Sequence, residues 1–186
     1  MQPTTGHHLI LGELTDYITG ETIQDTHDER YRQKLARLLV EDKGYSKTEI
    51  EPRCNILVKA DHKQAMVKID FKVTLAGRIN MIIKYGPGSL VTRRRSALGL
   101  SRLASSYQVP IVVVTNGEDA EIVEGTTEKV ISSGINAIPD KFQLIEMTKQ
   151  APFNRISAKR AEMESRIVYA FEIDGSCPCD ETICRL

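Results

Sequence analysis

Apolar and polar residues alternate at every second position through 66–73, and the same beat recurs through 54–60 and 79–85. Successive side chains on a strand point to opposite faces. Val67, Ile69, Phe71 and Val73 therefore share one face, and Lys68, Asp70 and Lys72 the other. The pattern predicts three strands joined by the turns "ADHKQ" and "LAGR". On the third, Ile79, Met81, Ile83 and Tyr85 lie opposite Asn80, Ile82 and Lys84. Upstream the period changes. Tyr31, Leu35, Leu38 and Leu39 recur at spacings of three and four, which predicts a helix over 28–43. Asp28 and Glu29 sit where they favour its dipole, and Gly44 stands at its end.

"GPG" at 86–88 breaks the third strand, and Ser89 is a suitable N-cap for a helix reaching about 106. Leu90, Ala97, Leu100, Ala104 and Tyr107 cover one broad side of it, with Arg95 and Arg102 opposite. The apolar run 111–114 suits a strand covered on both faces. Asn116-Gly117 then turns the chain into a return strand. Two further helices are expected over 140–150 and 156–171. Residues 1–27, punctuated by Gly6, Gly12 and Gly20, read as an extended arm or small hairpin. This order predicts a mixed α/β sheet flanked by helices, with a C-terminal helical extension. The division expected is an arm over 1–27, a core over 28–150, and a helix with a Cys-bearing tail over 151–186.

Composition narrows the functional classes. The chain has 186 residues, which suits one domain with extensions, and 41% hydrophobic content is enough for a sizeable core. No apolar run approaches the ~20 residues of a membrane span, and the first residues lack a signal-peptide pattern, so a cytoplasmic protein without a membrane role is expected. Net charge is zero, which argues against an overall basic, nucleic-acid-coated surface. It leaves room for a local groove, because Lys68, Lys72, Lys84, Arg93, Arg94 and Arg95 concentrate in one region. Cys177, Cys179 and Cys184 cluster near the C-terminus, and clustered cysteines in a cytosolic chain suggest metal before disulfide.

The stretches "DERYRQKLARLLVEDKGYSKTEIE" (28–51), "VKIDFKV" (67–73), "NMIIK" (80–84) and "VPIVVVTNGEDAEIV" (109–123) together resemble a known family. It is the N-terminal nuclease-like domain of type I restriction enzyme R subunits, within the PD-(D/E)xK superfamily. The resemblance implies a restriction-endonuclease-like fold and a magnesium site. By it, Asp70 takes the place of the metal-binding Asp, Lys84 that of the motif Lys and Glu29 that of an assisting helix Glu, while Lys68 precedes the Asp. The motif Glu is replaced by Ile82, which has no ligand atom. No Asp or Glu occurs between Ser89 and Tyr107 to compensate, and Glu51 is a remote stand-in. With that carboxylate gone, Asp70 is expected to pair with Lys84 directly.

Three functions stay open on this reading. The preferred one is an inactive nuclease homologue that holds nucleic acid through Lys68, Lys72, Arg93, Arg94 and Arg95. The second is an active magnesium-dependent endo- or exonuclease. The third is a scaffold or homodimer using the apolar positions Ile156, Met163, Ile167 and Ala170. Superfamily members with a four-cysteine cluster carry one Cys before the nuclease core and three after it. Cys54 with Cys177, Cys179 and Cys184 copies that distribution and makes zinc or an iron–sulfur cluster a candidate cofactor. A redox-active tail or an unstructured one are the alternatives.

Overall fold

The computed structural model describes residues 10–174 and 184–185, the residues 174, 184 and 185 by backbone alone. A two-stranded hairpin, β1 (Gly12–Thr15) with β2 (Thr22–Asp25), precedes helix α1 (His27–Arg37). Thr26 caps α1 by accepting the N–H of Glu29, and Asp28 and Glu29 lie in its first turn, where the dipole favours them. A π turn (Leu38–Asp42) and a 3-10 turn (Lys47–Glu49) lead into the main sheet.

That sheet runs β3 (Ile50–Ala60), β4 (Lys63–Leu75), β5 (Arg78–Tyr85), β6 (Ile111–Thr115), β7 (Ala120–Glu124), β8 (Val130–Ser133) in spatial order. Neighbours are antiparallel except β5 and β6, which are parallel. A parallel pair needs a crossover, and α2 (Leu90–Leu103) supplies it. A short β9 (Cys184–Arg185) pairs with Ala65 and Met66 of β4, beyond the end of β5. Helices α3 (Lys141–Thr148) and α4 (Ala158–Tyr169) complete the fold, and a π turn (Ala170–Asp174) continues α4.

Two apolar cores flank the sheet. One joins Leu35 and Leu39 to Phe71, Val73, Met81, Ile83 and Leu144. The other joins Val67, Ile69, Ile82, Val112 and Val114 to Leu98 and Leu100 of α2 and Val168 of α4. The odd-numbered face of β4 thus serves one core at Val67 and Ile69 and the other at Phe71 and Val73. The changeover falls at Asp70. There the β3–β4 ladder omits the Arg53–Asp70 pair, and Arg53 has φ +52°, a left-handed conformation uncommon outside glycine. The Asp70 side chain is buried at this turnover.

The expected mixed α/β arrangement is present, with differences at element ends. β3 starts before Cys54, β4 spans more than 66–73, and β8 carries no clear alternation in sequence. The helix expected to about 106 stops at Leu103, and Tyr107 instead forms a bridge with Arg155. The side of α2 bearing Arg95 and Arg102 is not a solvated face. Glu164 of α4 is fully buried and receives Arg95, Arg102 and Arg160, each at 2.7 Å. Gly99 lets the helices meet, because a Cβ there would lie 2.6 Å from Val168. The inward face of α4 is Glu164, Ser165, Val168 and Tyr169, leaving Met163 exposed.

Candidate functional site

The site residues lie where the end of β5 meets the turnover of β4. Phe71 pairs with Ile83 and Lys72 with Ile82. Asp70 sits just past this ladder, and its Oδ2 accepts the N–H of Tyr85 at 2.7 Å. Its Oδ1 accepts Nε of Arg32 from α1 at 2.6 Å, and its side chain is 1% exposed. Burial works against the Arg32 charge, and Asp70, with Glu29 and Asp28, more than restores it, so its pKa is raised. The guanidinium also lies 5.2 Å over the Tyr85 ring, which stacks on Tyr31 at 5.9 Å. The Tyr85 hydroxyl bonds Asp28 at 3.1 Å, and burial together with Asp28 raises its pKa.

Glu29 is buried within a polar network and shares Arg32 with Asp70. It accepts Nε2 of Gln33 at 2.9 Å and lies 3.5 Å from both Arg32 and Arg53. The same Gln33 and Arg53 reach Asp16 at 2.8 and 2.6 Å, which fastens the β1–β2 hairpin to α1 and β3. Burial opposes the Asp16 charge, but Arg53, the N–H of Thr19 and Gln33 hold its pKa down at about 2.

The expected Asp70–Lys84 pair gives way to a different pairing. Nζ of Lys84 lies 3.1 Å from Oε2 of Glu172 and donates to the carbonyl of Lys68 at 2.8 Å. Glu172 belongs to the π turn after α4, and its other oxygen accepts the Ser96 hydroxyl at 2.6 Å. The physical reason is competition: Arg32 offers Asp70 a charge-assisted bond from one side, and Glu172 offers Lys84 one from the other. Ile82 is fully buried in the core that also contains Ile173, the neighbour of Glu172. One short turn after α4 thus contributes to the core that holds Ile82 and pairs with Lys84.

Among the cations expected to meet nucleic acid, Lys72 pairs with Glu51 at 2.8 Å, Arg94 with Glu121 at 2.8 Å and Arg95 with Glu164. Arg93 folds onto the carbonyl of Pro87 at 2.9 Å. The half-buried Lys68 has neither a hydrogen bond nor an ion pair from its ammonium among the described residues. Burial and then Arg32 lower its pKa, against the pull of Asp70 and Glu29. Glu51 is engaged by Lys72, which itself pairs with Ile82, so it stands two strands from the Ile82 position.

Cys54 is buried, its thiol donates to the Glu51 carbonyl at 3.2 Å, and burial pushes its pKa up to about 12. It pairs with Ile69 from β3, whereas Cys184 pairs with Met66 from the other edge of β4. Cys177 and Cys179 lie outside the described residues. Among the described residues, no group of three or more His, Cys, Asp or Glu side chains is disposed to hold a metal ion.

Arg32 and Glu172, the partners of Asp70 and Lys84, were not assigned from sequence. Arg32 had a signal, since Glu29, Arg32 and Gln33 fall within the stretch "DERYRQ" that opens the family resemblance. Glu172 had none: it comes from the far end of the chain.

A buried strand Asp reached by Arg32 of α1, and a Lys at the end of the next strand, thus sit together in a mixed α/β domain. The profile of the type I restriction enzyme R protein N terminus (HSDR_N) matches residues 27–139, more than half the chain, and the protein belongs to that family. Comparison with curated proteins and with solved structures returned no match. No helix among the described residues is long and apolar enough to cross a membrane.

Proposed function

We propose that this protein is a nucleic-acid-associated member of the type I restriction R-subunit family that does not cleave. The observation that carries the reading is the state of Asp70. Both its oxygens are committed, one to a guanidinium and one to a backbone N–H. Magnesium binds through one or two carboxylates while keeping several waters, and needs room for that hydrated shell. Here the neighbouring space holds the Arg32 cation, and the Ile82 position belongs to a dry core. The donor set does not fit the metal. Family membership supports the nucleic-acid part, and Lys68 and Arg93, which make no ion pair with an acid among the described residues, are its candidate phosphate contacts.

The test is incubation of the full chain with duplex and single-stranded DNA and with RNA, in magnesium and in manganese, alongside Asp70→Ala. No cutting, with binding that weakens as salt rises, is the expected result. Cutting that Asp70→Ala abolishes would overturn the proposal. One observation favours that second reading: Glu172 places a carboxylate 3.1 Å from Lys84, beside the position Ile82 leaves without one. An active enzyme of this kind requires Glu172→Gln to lose cleavage as fully as Asp70→Ala.

A further inference from the structure

Lys84 and Lys68 form a small cationic corner in which Glu172 makes the ion pair. Lys84 donates to the carbonyl of Lys68 and is matched by Glu172, while the Lys68 ammonium has no acid partner among the described residues. Asp70 and Glu29, the acids whose fields reach Lys68, are engaged by Arg32, and Glu29 by Arg53 as well. Glu172 thus sits against Lys84 where an anion entering from solvent would sit. Its backbone is held independently of that contact. Glu164 anchors α4 through three arginines, and Ile173 is buried beside Glu172. The carboxylate can therefore leave Lys84 by rotation about its own side-chain bonds, with the fold unchanged and the Ser96 hydroxyl available as a second partner. Its π turn is of a kind that recurs at functional sites.

We infer that Glu172 is an internal stand-in for a backbone phosphate of nucleic acid. It occupies Lys84 in the free protein and is displaced when a phosphate bridges Lys84 and Lys68. Glu172, held on the turn after α4, then keeps affinity low until a polyanion competes it away. This rests on the nucleic-acid reading above.

The experiment measures duplex DNA binding to the full chain by fluorescence anisotropy across a series of salt concentrations, for wild type, Glu172→Gln and Glu172→Gln/Lys84→Met. Removing the internal acid is expected to tighten binding by roughly tenfold at low salt and to steepen the slope of log K against log salt by about 0.9, one further phosphate contact. The added Lys84→Met change is expected to reverse both effects. A shift in slope is a readout that a purely structural role for Glu172 does not give. Equal binding and equal slope for wild type and Glu172→Gln overturn the inference and leave the nucleic-acid role standing. A gain that survives Lys84→Met also overturns it. Absence of binding by every form at the lowest salt overturns the nucleic-acid role, and the inference with it. If thermal melts show that Glu172→Gln does not fold, Glu172→Asp draws the charge back from Lys84. An intermediate gain then supports the inference, and an unchanged affinity sinks it.

Discussion

Arg32 and Asp70 meet at 2.6 Å across the interface between α1 and the sheet, with the Asp70 carboxylate nearly sealed from water. Breaking a buried pair from one side strands the other charge, which costs far more than losing an exposed pair. Arg32→Ala is therefore expected to destabilise the protein by about 3 kcal/mol. Arg32→Ala/Asp70→Asn should be less damaged than the sum of the two single changes, because the stranded charge is gone. Urea unfolding measures both. A loss for Arg32→Ala no greater than that of an exposed Arg37→Ala would show that the pair does not hold α1 to the sheet.

The network behind that pair predicts an acid-dependent weakness. The Asp16 pKa falls from 3.8 in an unperturbed carboxyl to about 2 in the fold, despite burial, through Arg53, the Thr19 N–H and Gln33. A lowered folded pKa means that the unfolded chain takes up the proton first. The stabilisation is complete above about pH 4 and fades as pH drops toward about 2. Asp16→Asn should lower stability at neutral pH and flatten its decline over that interval. Urea midpoints at stepped pH provide the measurement, and parallel curves for the two proteins would refute the assignment.

How far the sequence revealed this arrangement depends on the range of each interaction. The α1 stripe, the Asn116-Gly117 turn and the alternation in β4 and β5 are local patterns, and the corresponding elements are present. The burial of Asp70 is different. Alternation places it on one face with Lys68 and Lys72, yet the β3–β4 ladder skips its pairing with Arg53 and the odd-numbered residues of β4 change cores there. The Lys84 partner was hidden for another reason. Glu172 arrives through the packing of α4 on α2, and Arg95 and Arg102 read as surface charge until Glu164 is seen between them. Local period locates strands and helices; it carries no information on which distant acid answers a cation.

The contact between α2 and α4 leaves little slack at Gly99. A methyl group there would lie 2.6 Å from Cγ2 of Val168 and 3.3 Å from Oε2 of Glu164. Alanine is favoured over glycine in a helix by about 1 kcal/mol. Overpacking a tight contact costs typically 1–3 kcal/mol, and here it also presses on the carboxylate that binds three arginines. Gly99→Ala should therefore be destabilising despite its better propensity. Val168→Ala in the same chain should recover part of the loss by making room. A melting temperature for Gly99→Ala at or above wild type would mean that the helices separate at little cost.

Ile82 offers the sharpest contrast between a lost ligand and a rebuilt core. If the site had lost only its carboxylate, restoring it with Ile82→Glu would be tolerated and would bring back metal-dependent cutting. The position is instead fully buried among Val67, Ile69, Val112, Val114 and Ile173. Substitution there removes an apolar side chain worth about 1.5–3 kcal/mol of burial. It also introduces an acid that must stay charged without a partner or take up a proton. Ile82→Glu is expected to lose several kcal/mol, more at pH 8 than at pH 5, because protonation at lower pH makes the buried acid less costly. Ile82→Val, which keeps the face apolar, should stay close to wild type. Chemical denaturation at the two pH values, with a manganese cleavage assay beside it, compares the outcomes. A stable Ile82→Glu protein that cuts DNA would mean that this face admits water and metal, against its burial in an apolar core.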